Sequence, residues 1–334
     1  MSENPAATSD ELKRTADTLG FDLIGIAPAV SPPGFHPLLE WIDSGYAADM
    51  DWIDRRRDAY RHPDGVLTGT RSVVVAAMNY HNREPLPGTA RISRYAWSGH
   101  DYHDVLRHRL GKLAEVLHAR VPESRTRIIV DTAPLLERDF ARLAGIGWFG
   151  KNTMLINRRI GSWFFLGAIL TTAELKCDEP WSGDHCGTCV RCLDACPTDA
   201  FPKPYVLDSS RCISYHTIEN RSGEIPDDLA AHFGDWVFGC DICQEVCPWN
   251  RFAPPDSDLL FHPRSDLHAA TPQSLLDLSE QEFQAQFRGT PLERTGHQAI
   301  RRNAQIAMRN MSAAVSREHS DRRTSHSLNQ EESP

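Results

Sequence analysis

The sequence predicts a mixed α/β architecture with a small cysteine-rich region set into it and a helical C-terminal part. Three observations carry that reading. Apolar, β-branched runs alternate with helical spacing up to about residue 172, the pattern of an α/β domain. Eight of the nine cysteines fall between Cys186 and Pro248. Residues 256–313 read as helical, whereas the tail from Ser316 to Pro334 is polar and free of aromatics, which predicts disorder.

Taken in order, Asp10–Leu19 reads as a helix closed by Gly20, and Phe21–Ala27 as a buried strand. A proline-rich turn, Ser31–Pro37, leads into a short helix over PLLEWIDSGY. The basic run Arg55–Arg57 is the kind that usually forms a solvated face. Ser72–Met78 predicts a central strand, and the polar, aromatic stretch Ile92–His103 a loop over a site. Val105, Leu106, Leu110, Leu113, Val116 and Leu117 give Asp104–Ala119 helical spacing. Arg127–Val130 predicts a strand ending on Asp131, followed by a helix, LLERDFARLA, that stops at Gly145. Thr153–Ile156 and Trp163–Leu170 read as two paired strands joined by a turn at Asn157–Gly161. The resulting layout is 1–172, 173–255 and 256–313, with a tail at 314–334.

A net charge of −9 argues against a broad nucleic-acid-binding surface, so any RNA partner must meet a local basic patch. No apolar run approaches the roughly 18 residues of a membrane span. MSENPAATSDELKR has no apolar core and does not read as a secretory signal. Cysteine usage, with Cys177 an isolated structural or adventitious thiol and not a ligand, fits a reducing cytoplasm.

The cysteines carry the strongest chemistry. Cys186-Gly-Thr-Cys189-Val-Arg-Cys192-Leu-Asp-Ala-Cys196-Pro197 is C-x2-C-x2-C-x3-C-P. Cys240-Asp-Ile-Cys243-Gln-Glu-Val-Cys247-Pro248 repeats its second part, with Cys212 standing ahead of it. This spacing is that of bacterial ferredoxins, in which three cysteines hold one [4Fe–4S] cluster and the fourth reaches the other. Two-residue gaps let thiolates wrap one cubane, and proline after the last cysteine turns the chain away. The crossover rule assigns Cys186, Cys189, Cys192 and Cys247 to a first cluster, and Cys196, Cys212, Cys240 and Cys243 to a second. A four-cysteine zinc site is the main rival, but two interlocking runs each closed by Cys-Pro weigh against it. The chain's size and the lack of a secretion signal weigh against a disulfide scaffold.

Other patterns promise less. Gly145-Ile-Gly147-Trp-Phe-Gly150-Lys151 resembles a phosphate-binding glycine loop, yet it follows a helix and precedes strand-like sequence, so a tightly packed turn is the better reading. Asp101-Tyr-His103 starts like a cobalt-ligand motif without the required glycine, which makes His103 a polar pocket or surface histidine. Asp131 weighs more, because ligands sit at the carboxyl ends of strands. It reads either as a helix N-cap or as a proton donor whose carboxyl is raised beside an apolar cofactor.

Ser93–Leu106, Val130–Arg138, Ala144–Ile156, the 186–197 run, Arg211–Glu219 (RCISYHTIE) and Gly239–Asn250 (GCDICQEVCPWN) together resemble the epoxyqueuosine reductase family, over roughly residues 10–312. The resemblance implies a nitroreductase-like cobalamin-binding domain, then a ferredoxin-like domain with two [4Fe–4S] clusters, then a short HEAT-like helical segment. It implies Asp131 as proton donor, and cobalamin contacts at or near Ser93, Asp131, Leu155, Leu166, Ser214, Asp241 and Ile242. The second cluster then lies nearest cobalt, and electrons come in at the first.

The implied reaction removes one oxygen from the epoxide of epoxyqueuosine at the tRNA wobble position, giving queuosine. The implied partners are a tRNA anticodon stem-loop and an external low-potential electron donor, for a cytoplasmic monomer. Longer family members continue into further helical repeats that help hold tRNA. This chain ends after one such unit, so RNA contact is expected at Arg301, Arg302 and the face near Thr217 and Arg221. A solvated helix face is the competing reading of the arginines. The rival functions are a cobalamin-dependent reductase of a small molecule and a ferredoxin-type electron-transfer module.

Overall fold

The computed structural model describes residues 4–82, 90–221, 223–256 and 258–328. Among them run the strands β1 (Leu23–Pro28), β2 (Ser72–Asn79), β3 (Arg91–Ile92), β4 (Thr126–Ile129), β5 (Trp148–Phe149), β6 (Leu155–Ile156), β7 (Phe164–Thr171) and β8 (Trp236–Phe238). Strands β1, β2, β7 and β4, in that spatial order, form one sheet. All three of its ladders are antiparallel, with Ile24 opposite Ala76, Val75 opposite Ala168 and Ile128 opposite Ile169. Alternation of strands and helices therefore does not mean a parallel sheet here, and the protein is of mixed α and β structure.

The sheet is covered on both faces, which is why β2 reads as an unbroken apolar run. Val74, Ala76 and Met78 pack with Leu12 and Ala16 of the Pro5–Thr18 helix and with Leu106, Leu110, Leu113 and Leu117 of the Tyr102–Arg120 helix. Val73, Val75 and Ala77 pack on the other face with Phe140, Ala141 and Ala144. That helix, Glu137–Leu143, approaches β1 so closely that a Cβ at Gly25 would stand 2.0 Å from the Ala144 carbonyl oxygen. Helix starts follow local chemistry: Asn4 and Asp101 accept hydrogen bonds from the backbone N–H groups of Ala6 and His103.

Three expectations are corrected. Leu155–Ile156 pairs with Trp148–Phe149, not with the strand after Gly161. The Asn157 side chain explains this, because its amide donates to the Ile146 carbonyl and its oxygen accepts from Arg159 N–H, so the turn closes after the single Asn157–Gly161 bridge. The Ile92–His103 stretch is not all loop: Arg91–Ile92 pairs in parallel with Trp236–Phe238, and the helix already starts at Tyr102. The last helix, His297–Leu328, runs on through the stretch expected to be disordered, since no glycine or proline interrupts it; residues 329–334 lie outside the described residues.

Residues 90–97 belong to a different core from the large sheet. Ile92 and Trp97 pack with Val237, Phe238, Phe287, Leu292 and Ile300. Residues 90–97 thus belong to the core of the C-terminal helices, and the chain is back in the sheet at β4.

Candidate functional site

Cys186, Cys189, Cys192 and Cys247 line one cavity of about 290 Å³, together with Lys151, His185 and Arg191. Cys247 lies 55 residues after Cys192 in the chain, and only the crossover rule places it with the other three. The remaining four form a second group. Burial, and after it Cys212, Asp241, Cys192 and Cys196, push the Cys243 thiol well up. Burial, then Cys243 and, more weakly, Cys212, do the same to Cys240, and burial and Cys196 raise Cys212. Burial holds these thiols in their neutral form, and a metal cluster would have to displace their protons to bind the sulfurs. Cys192 of the first group lies near enough to Cys243 to raise its thiol. Asn152 ties this region to the glycine turn by donating to the Cys243 carbonyl at 3.1 Å. That turn binds backbone and not phosphate: a Cβ at Gly147 would lie 2.2 Å from the Ile156 carbonyl oxygen.

Asp131 stands two residues beyond β4 with φ +57°, a backbone conformation that costs an ordinary residue about 1–3 kcal/mol. It caps no helix; instead its N–H donates to Glu137 Oε1 at 2.9 Å. Its half-exposed carboxylate has His103 Nε2 at 3.6 Å, Tyr102 Oη at 3.5 Å and Arg294 Nη1 at 3.8 Å. Burial opposes a charge on His103, but the Asp101 hydrogen bond at 2.6 Å and the Asp131 carboxylate win and raise it to about 9. Burial and then the Asp131 charge push the Glu137 carboxyl up to about 8. Tyr102 is held by stacking on Phe165, with ring centres 4.3 Å apart.

Two hollows meet at Asp131. One, of about 450 Å³, is largely apolar, with Trp41, Ile53, Leu135, Phe149 and Leu207 in its wall. The other, of about 610 Å³, is charged and carries Arg56, Arg221, Arg294 and Glu219. Arg294 pairs with Glu219 at 2.9 Å, and Arg56 donates to the Thr132 carbonyl at 3.3 Å. Sequence reasoning missed Tyr102, Glu137, Arg56 and Arg294. Arg294 carries no motif of its own ahead of Arg301 and Arg302, and Arg56 belongs to a run that reads as a solvated face.

The residues expected to touch cobalamin divide. Leu166, Ser214 and Ile242 are partly exposed and free to make contact, while Leu155 packs beneath Leu166 in the same apolar cluster. Ser93 and Asp241 are buried, and Asp241 accepts from Arg94 N–H at 2.8 Å and from its guanidinium at 3.3 Å. Ser214 follows Cys212 by two residues and Ile242 stands between Cys240 and Cys243, whereas the Ser93 and Asp241 side chains are withdrawn into the interior.

Two of the expected RNA contacts are corrected. Thr217 is wholly buried, its hydroxyl donating to the Ile213 carbonyl and accepting from Gly239 N–H, so its side chain meets no RNA here. Arg302 spends its guanidinium on the Gly223 and His216 carbonyls, at 2.8 and 2.7 Å, and is a structural clasp. Arg221 and Arg301 are exposed.

Residues 185–250 match the family described as 4Fe-4S double cluster binding domain, and residues 61–132 the family described as Epoxyqueuosine reductase QueG, DUF1730. An epoxyqueuosine reductase of Gloeobacter violaceus is 44% identical over 313 residues, spanning 91% of this chain and 96% of that protein. One of Pseudomonas aeruginosa is 40% identical over 324 residues, spanning 93% and 88%. A Bacillus subtilis epoxyqueuosine reductase, described with its aspartate catalytic loop swung out of the active site, superposes with a TM-score of 0.85 at 30% identity, over 92% of this chain and 82% of that one. A crystal structure of epoxyqueuosine reductase with an epoxyqueuosine-modified tRNA-Tyr stem loop gives 0.83 at 31%, with the same coverage.

Proposed function

The chain belongs to the epoxyqueuosine reductase family, and from that premise we propose how its residues divide the work. The enzyme is an oxidoreductase that converts epoxyqueuosine in tRNA to queuosine. Two electrons and two protons break the epoxide, one oxygen leaves as water, and a cyclopentene remains. The observation that carries our assignment is Asp131, held at φ +57° where an apolar hollow meets a charged one.

Asp131 donates the proton that turns the opened epoxide's alkoxide into a leaving group. Glu137 fixes the Asp131 backbone, while His103, Tyr102 and Arg294 set the direction of its carboxyl. The two thiol sets above would hold two [4Fe–4S] clusters, and Leu166, Ser214 and Ile242 would contact cobalamin; together these groups would supply the electrons. The charged hollow, with Arg56, Arg221 and Arg294, takes the RNA backbone, and the modified base reaches Asp131 unstacked from its loop. Residues 1–172 serve as the cobalamin-binding catalytic domain, 173–255 as the cluster domain, and 256–313 as a short helical support for RNA.

Among the described residues no helix is long and apolar enough to cross a membrane. The reading places a monomer in the cytoplasm, fed by an external low-potential donor.

The test is anaerobic turnover of an epoxyqueuosine-containing anticodon stem-loop with reconstituted clusters, cobalamin and dithionite, followed by mass spectrometry of the nucleosides. Loss of one oxygen that depends on cobalamin is expected. Asp131→Asn should keep iron content and cobalamin binding but lower the rate by about 10²–10⁴. Normal turnover by that variant would remove Asp131 from the mechanism, and oxygen loss without cobalamin would remove the cofactor.

A further inference from the structure

We propose that Arg251, Phe252 and the Arg158–Arg159 turn form the docking face for a small acidic one-electron carrier protein that delivers electrons to the Cys186, Cys189, Cys192 and Cys247 set. The proposal rests on the cluster assignment above. Phe252 is 82% exposed, far more than any other large apolar side chain among the described residues. A single exposed phenylalanine means little. Its surroundings give it weight.

Arg251 stands over the Phe252 ring at 5.4 Å, so an exposed apolar ring carries a positive charge on one face. Arg251 also shares a hollow of about 570 Å³ with Arg191, Cys247 and Pro248. Arg191, Cys247 and Pro248 line the first thiol cavity as well, so the exposed hollow and the thiol cavity have a wall in common. The turn with exposed Arg158 and Arg159 packs on the backbone just before Arg251: a Cβ at Gly161 would lie 3.2 Å from the Trp249 carbonyl oxygen.

Of these four arginines Arg191 and Arg251 line the hollow, which also holds Asp194 and Glu245. Glu245 is already paired with Arg91 and Arg94. The face is therefore basic on a chain whose net charge is −9. An acidic protein would be repelled by most of the surface and drawn to this part of it, which raises its productive encounter rate. Electron-transfer partners meet over small, short-lived interfaces, and an exposed aromatic ringed by arginine suits one. RNA is also acidic, but the arginines beside the reacting corner are Arg56, Arg221 and Arg294, in a separate hollow. The step is simple: the reduced carrier loses one electron, the first cluster gains it, and no bond or proton moves.

The experiment uses the reconstituted full chain, with an acidic [2Fe–2S] ferredoxin as the probe. Affinity for the oxidised ferredoxin is measured by calorimetric titration, and oxidation of the reduced form by stopped flow, at low and high salt. Arg251→Glu and Phe252→Ala should each weaken binding and lower the ferredoxin-driven rate constant by about tenfold at low salt. Turnover driven by dithionite, which needs no docking, should be unchanged. Unaltered ferredoxin affinity and rate in both variants would overturn the proposal, as would a loss of stem-loop affinity in their place, which would make this an RNA face. Failure of dithionite turnover in the parent chain strikes the assigned reaction and leaves the calorimetric result to judge the face.

Discussion

The thiol region and the Asp131 corner solve the same problem, holding reactive groups in place, by opposite means. Seven of the eight thiols come in two short runs, where gaps of two and three residues do most of the positioning. The Asp131 corner is assembled from residues that start as far apart as Arg56 and Arg294, and it depends on one backbone residue with φ +57°. Local spacing makes the first region robust to its surroundings. The second depends on the sheet, on the Tyr102–Arg120 helix and on the C-terminal helices all at once.

The sharpest way to break this contrast is to remove single thiols. Cys247→Ser should lose the first cluster and Cys212→Ser the second, each leaving about four irons per chain and no turnover with the carrier protein. Iron and sulfide analysis with electron paramagnetic resonance checks it. If Cys247→Ser spoils the signal of the second cluster instead, the crossover grouping is wrong.

A smaller effect is expected from pH. His103 is raised to about 9, above the usual histidine range, and the Glu137 carboxyl to about 8. In both cases the folded state holds its proton more tightly than the unfolded chain. The His103 contribution to stability is complete below about pH 6.5, the Glu137 contribution below about pH 4.5, and both fade as pH rises through 8 and 9. Tm should therefore fall between pH 7 and pH 9.5, and His103→Gln should flatten that fall. An unchanged slope in His103→Gln would mean that Asp101 and Asp131 do not strengthen the ring's hold on its proton.

The smallest effects separate the basic residues. Arg221→Ala should weaken stem-loop binding and lower its salt slope by about one. Arg302→Ala should leave that slope alone and destabilise the fold by about 1–3 kcal/mol, because two carbonyls lose their donor. Thermal melts beside filter binding at several salt concentrations tell the two apart.

How much of this was legible follows from the same contrast. The strand at Ser72–Met78 and the helix at Asp104–Ala119 are written in local pattern, and the structure has a strand at Ser72–Asn79 and a helix at Tyr102–Arg120 that starts two residues early. Which strand pairs with Leu155–Ile156 was not legible, because it depends on where the Asn157 side chain turns. Thr217 and Arg302 misled for a related reason. A hydroxyl and a guanidinium look like surface chemistry in sequence, and only the fold shows that backbone groups have claimed them. Arg294 and Arg56 were hidden among other arginines, since nothing local tells a charge facing solvent from one facing a distant carboxylate.

The left-handed turn at Asp131 also decides which substitution reports chemistry cleanly. Asparagine tolerates that region of backbone space better than most residues with a side chain, and it matches aspartate in shape. Asp131→Asn therefore removes an acid from an otherwise intact loop. Alanine would remove the acid and disfavour the turn together, so its failure would not distinguish a missing proton from a displaced strand end. A chain that places its acid at such a position carries a built-in control for anyone who wants to delete it.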